Sequence, residues 1–518
     1  MRIPFIAAIT ACAALTAGAD AAVPMPAVKA SPAGTHGFPF NASALDLARF
    51  GFVEEEFLIS GTAQAYVNEG ELRSDGQWKA KPNPKAKAAY TTRLLVRRPT
   101  DPAKFNGVVI VEWLNVSGGY DGAPDWALLS DEILREGYAW VGVSAQFVGA
   151  VALQQWENGS ANRYAAIVHP GDSFSYDIYS QAAQAIRTPG AVKPLGSLTP
   201  NVRELLADGE SQSAARMVTY YNAVHPLAKV YSGFLIHSIG FGAPLSQSSG
   251  GGMASRMVPP VPAPKGVPVT SDIAPAPNSF IRTDVAEPVM FVNTETDVVV
   301  LGAAQSVHQQ ADSRNFRMWE IAGTAHGDQS LLGNANLDAI KSGKGQKFDC
   351  GNPPINNGPD RYAMPAALHA LRLWAGVGVA PSTGPRFSVT MATPPAPAVL
   401  NRDPATGLVI GGIRLPQIAV PTSTETGTRP MGASTANQFC AIFGASDPWN
   451  GDRDPWDNQA GVDPSPTPEP VLSVLYPTHD DYIFKVFAAT SDSLMHGYLR
   501  PTDAVKIISQ AEQAHIPQ

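Results

Sequence analysis

A serine acts as a nucleophile only where a base takes its proton, a carboxylate orients that base, and N–H donors hold the oxyanion that forms. Three stretches of the chain offer these residue types in a usable order. "ADGESQSAARM", Ala207 to Met217, sets Ser211 two residues after Gly209 and directly before a helix-prone run. "PVMFVNTETDVVV" ends an apolar run with Glu295 and Asp297, and "MWEIAGTAHGDQ" carries His326 in a loop after another apolar run. A serine on the turn between a strand and a helix, followed in the chain by an acid and then a histidine, is the layout of an α/β-hydrolase. The chemistry would be acyl transfer, with Ser211 as nucleophile, His326 as base, and Asp297 as acid with Glu295 as the alternate.

Each assignment has a plainer rival. The glycine usual two residues after the nucleophile is Ser213, so the motif reads G-x-S-x-S. Ser211 could simply cap the helix that follows, and either carboxylate could cap the next one. His237 and Ser238 in "LIHSIG" form a second pair, but Ile236 stands where an elbow needs glycine. His225 and His369 fall in helix-like stretches and read as packing or surface residues. For the oxyanion, the expected donors are Gln212 N–H and an N–H of Asn115 or a neighbour in "EWLNVSGGYDG". An ordinary strand–helix loop is the alternative there. Trp113, Trp126 and Trp156 read as an aromatic acceptor site or as core.

A parallel sheet must position these groups, and the pattern of apolar runs provides one. "GVVIVEWLNV", "AWVGVSAQ", "RELLADG", "VYSGFLIHSIG", "PVMFVNTETD" and "FRMWEIAGTAH" lack the alternation of half-exposed strands. They are interleaved with the helix-like "DWALLSDEILREGY", "SYDIYSQAAQAI", "SAARMVTYYNAV" and "AAQSVHQQA". Strands covered on both faces and alternating with helices predict a doubly wound α/β domain. A core over about 52–330 is interrupted at about 241–287 by "SSGGGM" and "VPPVPAPKGVPVT", a lid-like insertion or a surface loop. About 331–518 extends the core with two good helices and a hairpin-like "GLVIGGIRLPQIAV".

The bulk numbers restrict partners. The 518 residues carry 44% hydrophobic and 16% charged side chains, with a net charge of −8 and no basic stripe, which argues against nucleic acid or an anionic membrane. The N-terminus, with Arg2, an apolar run and Ala19-Asp20-Ala21, reads as a signal peptide over 1–21, so that 22–518 is exported to the periplasm or secreted. Its apolar run is too short to span a bilayer, and no transmembrane segment is expected in the mature protein. Ile9-Thr10-Ala11-Cys12 loosely matches a lipoprotein box, leaving a lipid-anchored form open. With Cys12 removed, Cys350 and Cys440 remain as a disulfide or as two buried thiols. No clustered cysteine and histidine pattern suggests a metal, and no cofactor is expected.

The segments "VVIVEWLNVSGG", "VGVSAQ", "GESQSAARMVTYYNAVHPL", "TETDV", "WEIAGTAHGD", "GGIRLPQIAVP" and "LYPTHDDYI" resemble the bacterial alpha/beta hydrolase domain-containing family. The resemblance spans nearly the whole mature chain, which makes the long C-terminal extension part of one enzyme. It implies the α/β-hydrolase fold, a serine nucleophile at Ser211 and a base at His326; both Glu295 and Asp297 lie in the shared acidic stretch. The G-x-S-x-S form is similar to that of the family. The expectation is an exported serine hydrolase cleaving a small-molecule or polymer-derived carboxylic ester through an acyl-enzyme. The rivals are a catalytically silent ligand-binding protein and an acyl transferase or lyase on the same fold.

Overall fold

The structure is a computed structural model that describes residues 23–157, 161–245, 278–391, 398–429, 438–449 and 470–517. The expected signal peptide with Cys12, and most of the expected insertion, lie outside the described residues.

Nine described strands form one sheet: β1 (Ala27–Ala30), β2 (Phe52–Asn68), β3 (Ala80–Pro99), β4 (Val108–Trp113), β5 (Ala139–Val143), β6 (Glu204–Glu210), β7 (Gly233–His237), β8 (Val289–Asn293) and β9 (Phe316–Glu320). Their spatial order is β1-β2-β3-β5-β4-β6-β7-β8-β9. From β5 to β9 neighbouring strands are parallel, with Val111 facing Ala207 and Ile236 facing Phe291. β1 to β3 add an antiparallel edge.

β4 shows why the central strands read as unbroken apolar runs. Val108 and Ile110 enter the core on one face of the sheet, while Val109 and Val111 enter it on the other. Fully burying each such side chain contributes roughly 1.5–3 kcal/mol. On the first face lie α1 (Pro124–Glu136), through Trp126, Leu129 and Ile133, and a helix of the C-terminal extension, through Met364 and Leu368. On the second lie α2 (Ser175–Arg187) and α3 (Gln212–Thr219), through Tyr179, Ala182, Ala214 and Met217.

After β9 the extension stays on this sheet. α4 (Gln329–Lys341) and α5 (Asp360–Val377) follow the His326 loop, and Leu371 of α5 lies directly over Gly233 of β7. α6 (His479–Met495) and α7 (Pro501–Gln513) close the first face through Val486, Ala504 and Ile507. The chain belongs to the α/β-hydrolase architecture, a mostly parallel sheet with helices on both faces.

Two local readings differ. "AAQSVHQQA" forms two short 3-10 turns, Ala303–Gln305 and Val307–Gln309, rather than a helix. Ser306 between them has φ −132°, and its hydroxyl bonds Gly240 O instead of continuing a helix. The stretch 407–420 is no hairpin. Gly411 and Gly412 both take positive φ, which breaks the extended run, and its pairing is by single bridges to Phe387, Arg402 and Ile321.

Candidate active site

β6 ends at Glu210, and Ser211 then turns the chain with φ 58° and ψ −118°. A non-glycine residue there costs on the order of 1–3 kcal/mol and persists only where its surroundings fix it. Ser211 N–H donates to His237 O at 2.9 Å, and Ser211 O accepts from Ala215 N–H at 3.1 Å. Gly209 makes the turn possible. A Cβ on it would lie 3.1 Å from the Ser213 backbone and side chain, so a larger residue would push α3 away.

The Ser211 side chain does not cap α3. Its Oγ lies 2.8 Å from His326 Nε2, and His326 Nδ1 lies 2.7 Å from Asp297 Oδ1. These partners assign the tautomer: Nδ1–H donates to the carboxylate, and Nε2 accepts from the serine hydroxyl. The other carboxylate oxygen of Asp297 accepts from Thr294 N–H at 2.8 Å and Thr294 Oγ1 at 2.7 Å. Asp297 thus serves both the histidine and the capping box of the short helix Glu295–Val299.

Glu295, the alternate acid, points elsewhere. Its carboxylate accepts from Gly323 N–H at 2.8 Å and Gly427 N–H at 3.1 Å, and pairs with Arg402 at 2.8 Å. It ties the Asp297 turn to the C-terminal extension. Between the two carboxylates, Thr296 Oγ1 accepts from His326 N–H at 3.2 Å and so fixes the histidine backbone.

Asn115 does not serve as a backbone oxyanion donor, because its N–H is already donated to Gly122 O at 2.9 Å. Its side-chain amide instead holds Glu210, donating to both Glu210 O and Oε2 at 3.1 Å. Gln212 N–H, in the first turn of α3, and Val116 N–H in the loop after β4 have no acceptor among the described residues. Gly118 N–H, in the same loop and lining the cleft, is likewise without an acceptor among the described residues.

Glu210 is the residue the sequence argument passed over. Its Oε1 lies 3.4 Å from His326 Nε2, the atom that faces Ser211. Burial pushes its carboxyl up to about 7, against the pull of His326 and His237. Burial pushes His326 down, but the hydrogen bond and charge of Asp297, with Glu210 adding, outweigh it and leave the imidazole above its ordinary value. Burial likewise raises Asp297, and its bonds to His326 and Thr294 more than reverse that. The signal available was an ionisable side chain placed directly before the serine at a strand end.

Ser211 and His326 open into a cleft of about 210 Å³. Asn115, Glu210 and Asn336 supply polar atoms on one side, and Leu332, Phe348, Phe439 and Phe443 form an apolar wall. Trp113 and Trp126 are buried core residues, and Trp156 stacks on His36; none of the three lines the cleft. Cys350 and Cys440 are joined by a disulfide beside the wall. Nothing in the sequence pattern marked these phenylalanines, which lie in irregular stretches.

The second pair is sealed. His237 is clasped between Asp125 at 3.0 Å and Asp360 at 3.4 Å, and Ser238 has no surface exposure. His225 stacks on Tyr221 and pairs with Glu287 at 3.0 Å. His369 converges with Glu132 and Glu136, a spacing that could hold a metal, but Arg500 pairs with both carboxylates and Arg135 with Glu132. Burial, Arg500 and Arg372 press His369 down to about 4. Among the described residues no helix is long and apolar enough to cross a membrane.

A strained serine at the carboxyl end of β6, facing an aspartate from the end of β8 and a histidine from the end of β9, defines a protein of the α/β-hydrolase class. The sequence agrees. Residues 23–509 match the family model described as "Alpha/beta hydrolase domain", and the chain belongs to that family. No curated protein matches it in sequence. Among solved structures it is similar to a thermostable esterase from Pseudomonas putida, at 13% identity over 58% of this chain and 83% of that one, with a TM-score of 0.28. It is also similar to an α/β serine hydrolase without lid from Xanthomonas campestris (11%, 54% and 93%, 0.26). A third is a carboxylesterase from Lactobacillus plantarum (11%, 49% and 74%, 0.23). At these scores the assignment rests on the family match alone.

Proposed function

We propose that the protein is an exported serine hydrolase that cleaves a carboxylic ester through an acyl-enzyme, with Ser211, His326 and Asp297 as its triad. The observation that carries this reading is the unbroken line from Ser211 Oγ to His326 at 2.8 Å and on to Asp297 at 2.7 Å. Ser211 Oγ attacks the ester carbonyl as its proton passes to His326 Nε2. Asp297 stabilises the imidazolium and keeps its tautomer. Gln212 N–H and Val116 N–H receive the oxyanion; removing one such donor costs about 2.7–4 kcal/mol of barrier. Collapse expels the alcohol with the proton from His326. Water, deprotonated by the same nitrogen, then releases the acid and restores Ser211.

Export accords with the N-terminal signal pattern and with a disulfide, which persists in oxidising compartments. The fusion of 22–518 into one unit accords with the bonds of Glu295 to Arg402 and Gly427. Ser211→Ala, purified and compared with wild type by thermal melting and ester turnover, tests the assignment. It should keep the melting temperature and lose turnover; wild-type rates would refute the nucleophile.

A further inference from the structure

Ser211 shares its cleft with three phenylalanines on two segments that lie outside the nine-stranded sheet and the long helices. Phe348 lies in an irregular stretch, Phe439 lies in a 3-10 turn, Gln438–Ile442, and Phe443 follows that turn directly. Their rings form one aromatic group: Phe348 meets Phe443 edge-on with centroids 5.1 Å apart, and Phe439 lies parallel to Phe443 at 6.2 Å. Phe443 also packs on Gly327, the residue after the base. A Cβ there would come within 2.9 Å of its ring, so only glycine lets the wall stand this close to His326.

The covalent link between the segments is Cys350–Cys440, two residues beyond Phe348 and one beyond Phe439. Hydrogen bonds support the same segments: Asn356 N–H to Phe443 O at 3.1 Å, Gly327 N–H to Ile442 O at 3.3 Å, Gln346 N–H to Asn336 Oδ1 at 2.7 Å, and Arg429 to Cys350 O at 2.9 Å and Gly444 O at 2.6 Å. Of these ties the disulfide is the covalent one, and it joins the segment of Phe348 directly to that of Phe439. The cleft volume of about 210 Å³ is smaller than the roughly 300 Å³ at which drug-sized ligands begin. A cleft of that volume has room for one ring beside the serine. Aromatic rings prefer edge-to-face and offset partners, which the parallel Phe439 and Phe443, with Phe348 edge-on to both, supply.

We infer that Phe348, Phe439 and Phe443 form a subsite for an aromatic ring carried by the substrate ester, and that Cys350–Cys440 keeps this subsite assembled. The inference rests on the ester-hydrolase reading for its substrate, but the ring's fit to the wall can be measured without turnover. Reduction of the disulfide then changes which esters are cleaved rather than whether any is cleaved.

Two measurements test it. The first compares kcat/KM on ethyl acetate, phenyl acetate and ethyl benzoate, which carry no ring, a ring on the alcohol side and a ring on the acyl side. Phenyl acetate is the more reactive ester by its leaving group alone, so the ring-bearing ester whose advantage depends on the wall tells which half of the substrate meets it. The ratio of ring-bearing to ringless kcat/KM should fall about tenfold in Phe439→Ala and Phe348→Ala. It should fall similarly in C350S/C440S and in wild type treated with dithiothreitol, and recover in Phe439→Tyr. Ratios unchanged in all of these would overturn the subsite. The second measurement is calorimetric binding of ethyl benzoate and phenyl acetate to Ser211→Ala, with and without Phe439→Ala. Tighter binding of either ester when Phe439 is present supports the wall even if wild type cleaves none of the three, in which case the hydrolase reading falls alone. Equal binding of both esters with and without Phe439 contradicts the wall, whatever the turnover.

Discussion

Two neighbouring strands of this sheet end in nearly the same way and come to different ends. β6 delivers Glu210 and then Ser211 at φ 58°; β7 delivers His237 and then Ser238 at φ 63°. Both serines are non-glycine residues in left-handed backbone, and each stands close to a histidine. Ser211 lines an open cleft and meets a histidine whose far nitrogen is held by one carboxylate. Ser238 is sealed and its hydroxyl has no partner, while the adjacent His237 turns its ring nitrogens toward Asp125 and Asp360. Backbone strain therefore does not mark a nucleophile. What sets Ser211 apart is access to the cleft and a histidine nitrogen within hydrogen-bond reach of its hydroxyl.

Substitutions can break this contrast, starting with the largest effect. Ser211→Ala should lower kcat by about 10⁶-fold, as expected when the nucleophile of such a triad is removed. Asp297→Asn should lower kcat by about 10⁴-fold by misplacing the His326 tautomer. Glu295→Gln should act on the fold instead, since it leaves Arg402 without its buried carboxylate partner; urea unfolding should show a loss of about 3 kcal/mol. A large drop in kcat for Glu295→Gln with unchanged stability would reverse the roles of the two acids.

The pH profile sharpens the same contrast more finely. Turnover needs neutral His326, and its pKa in the folded protein lies above the ordinary 6.5. Activity should thus be full at higher pH and fall as pH drops through a midpoint above 6.5. Glu210 titrates at about 7, so the acid limb belongs to the pair rather than to either residue. Glu210→Gln removes a charge that raises His326, and the limb should move to lower pH by about one unit. A limb that stays in place would mean that Glu210 is uncoupled from the base. Ser238→Ala is the smallest case, with kcat/KM expected within about twofold of wild type.

Much of this was legible in the chain. Unbroken apolar runs such as "VVIVEW" mark strands buried on both faces, and Gly209 two residues before Ser211 marks a turn packed against its helix. The order Ser211, Asp297, His326 follows from strand ends that the alternating pattern locates. Glu295 and Asp297 could not be separated in the sequence, because two residues along one turn decide which carboxylate faces His326. That choice is made by Arg402, Gly427 and Thr294, one a neighbour and two more than a hundred residues away. Asn115 was legible as a site residue but not in its role, which depends on a backbone bond to Gly122 across a loop. The aromatic wall was invisible because its residues belong to stretches without periodicity, joined only in three dimensions.

The most direct test of the central claim is fluorophosphonate labelling of the folded mature protein, followed by peptide mass mapping. A nucleophile activated by His326 predicts one label, on Ser211, lost on acidification through the midpoint of the activity profile. A label on Ser238, or none on folded protein, would contradict it.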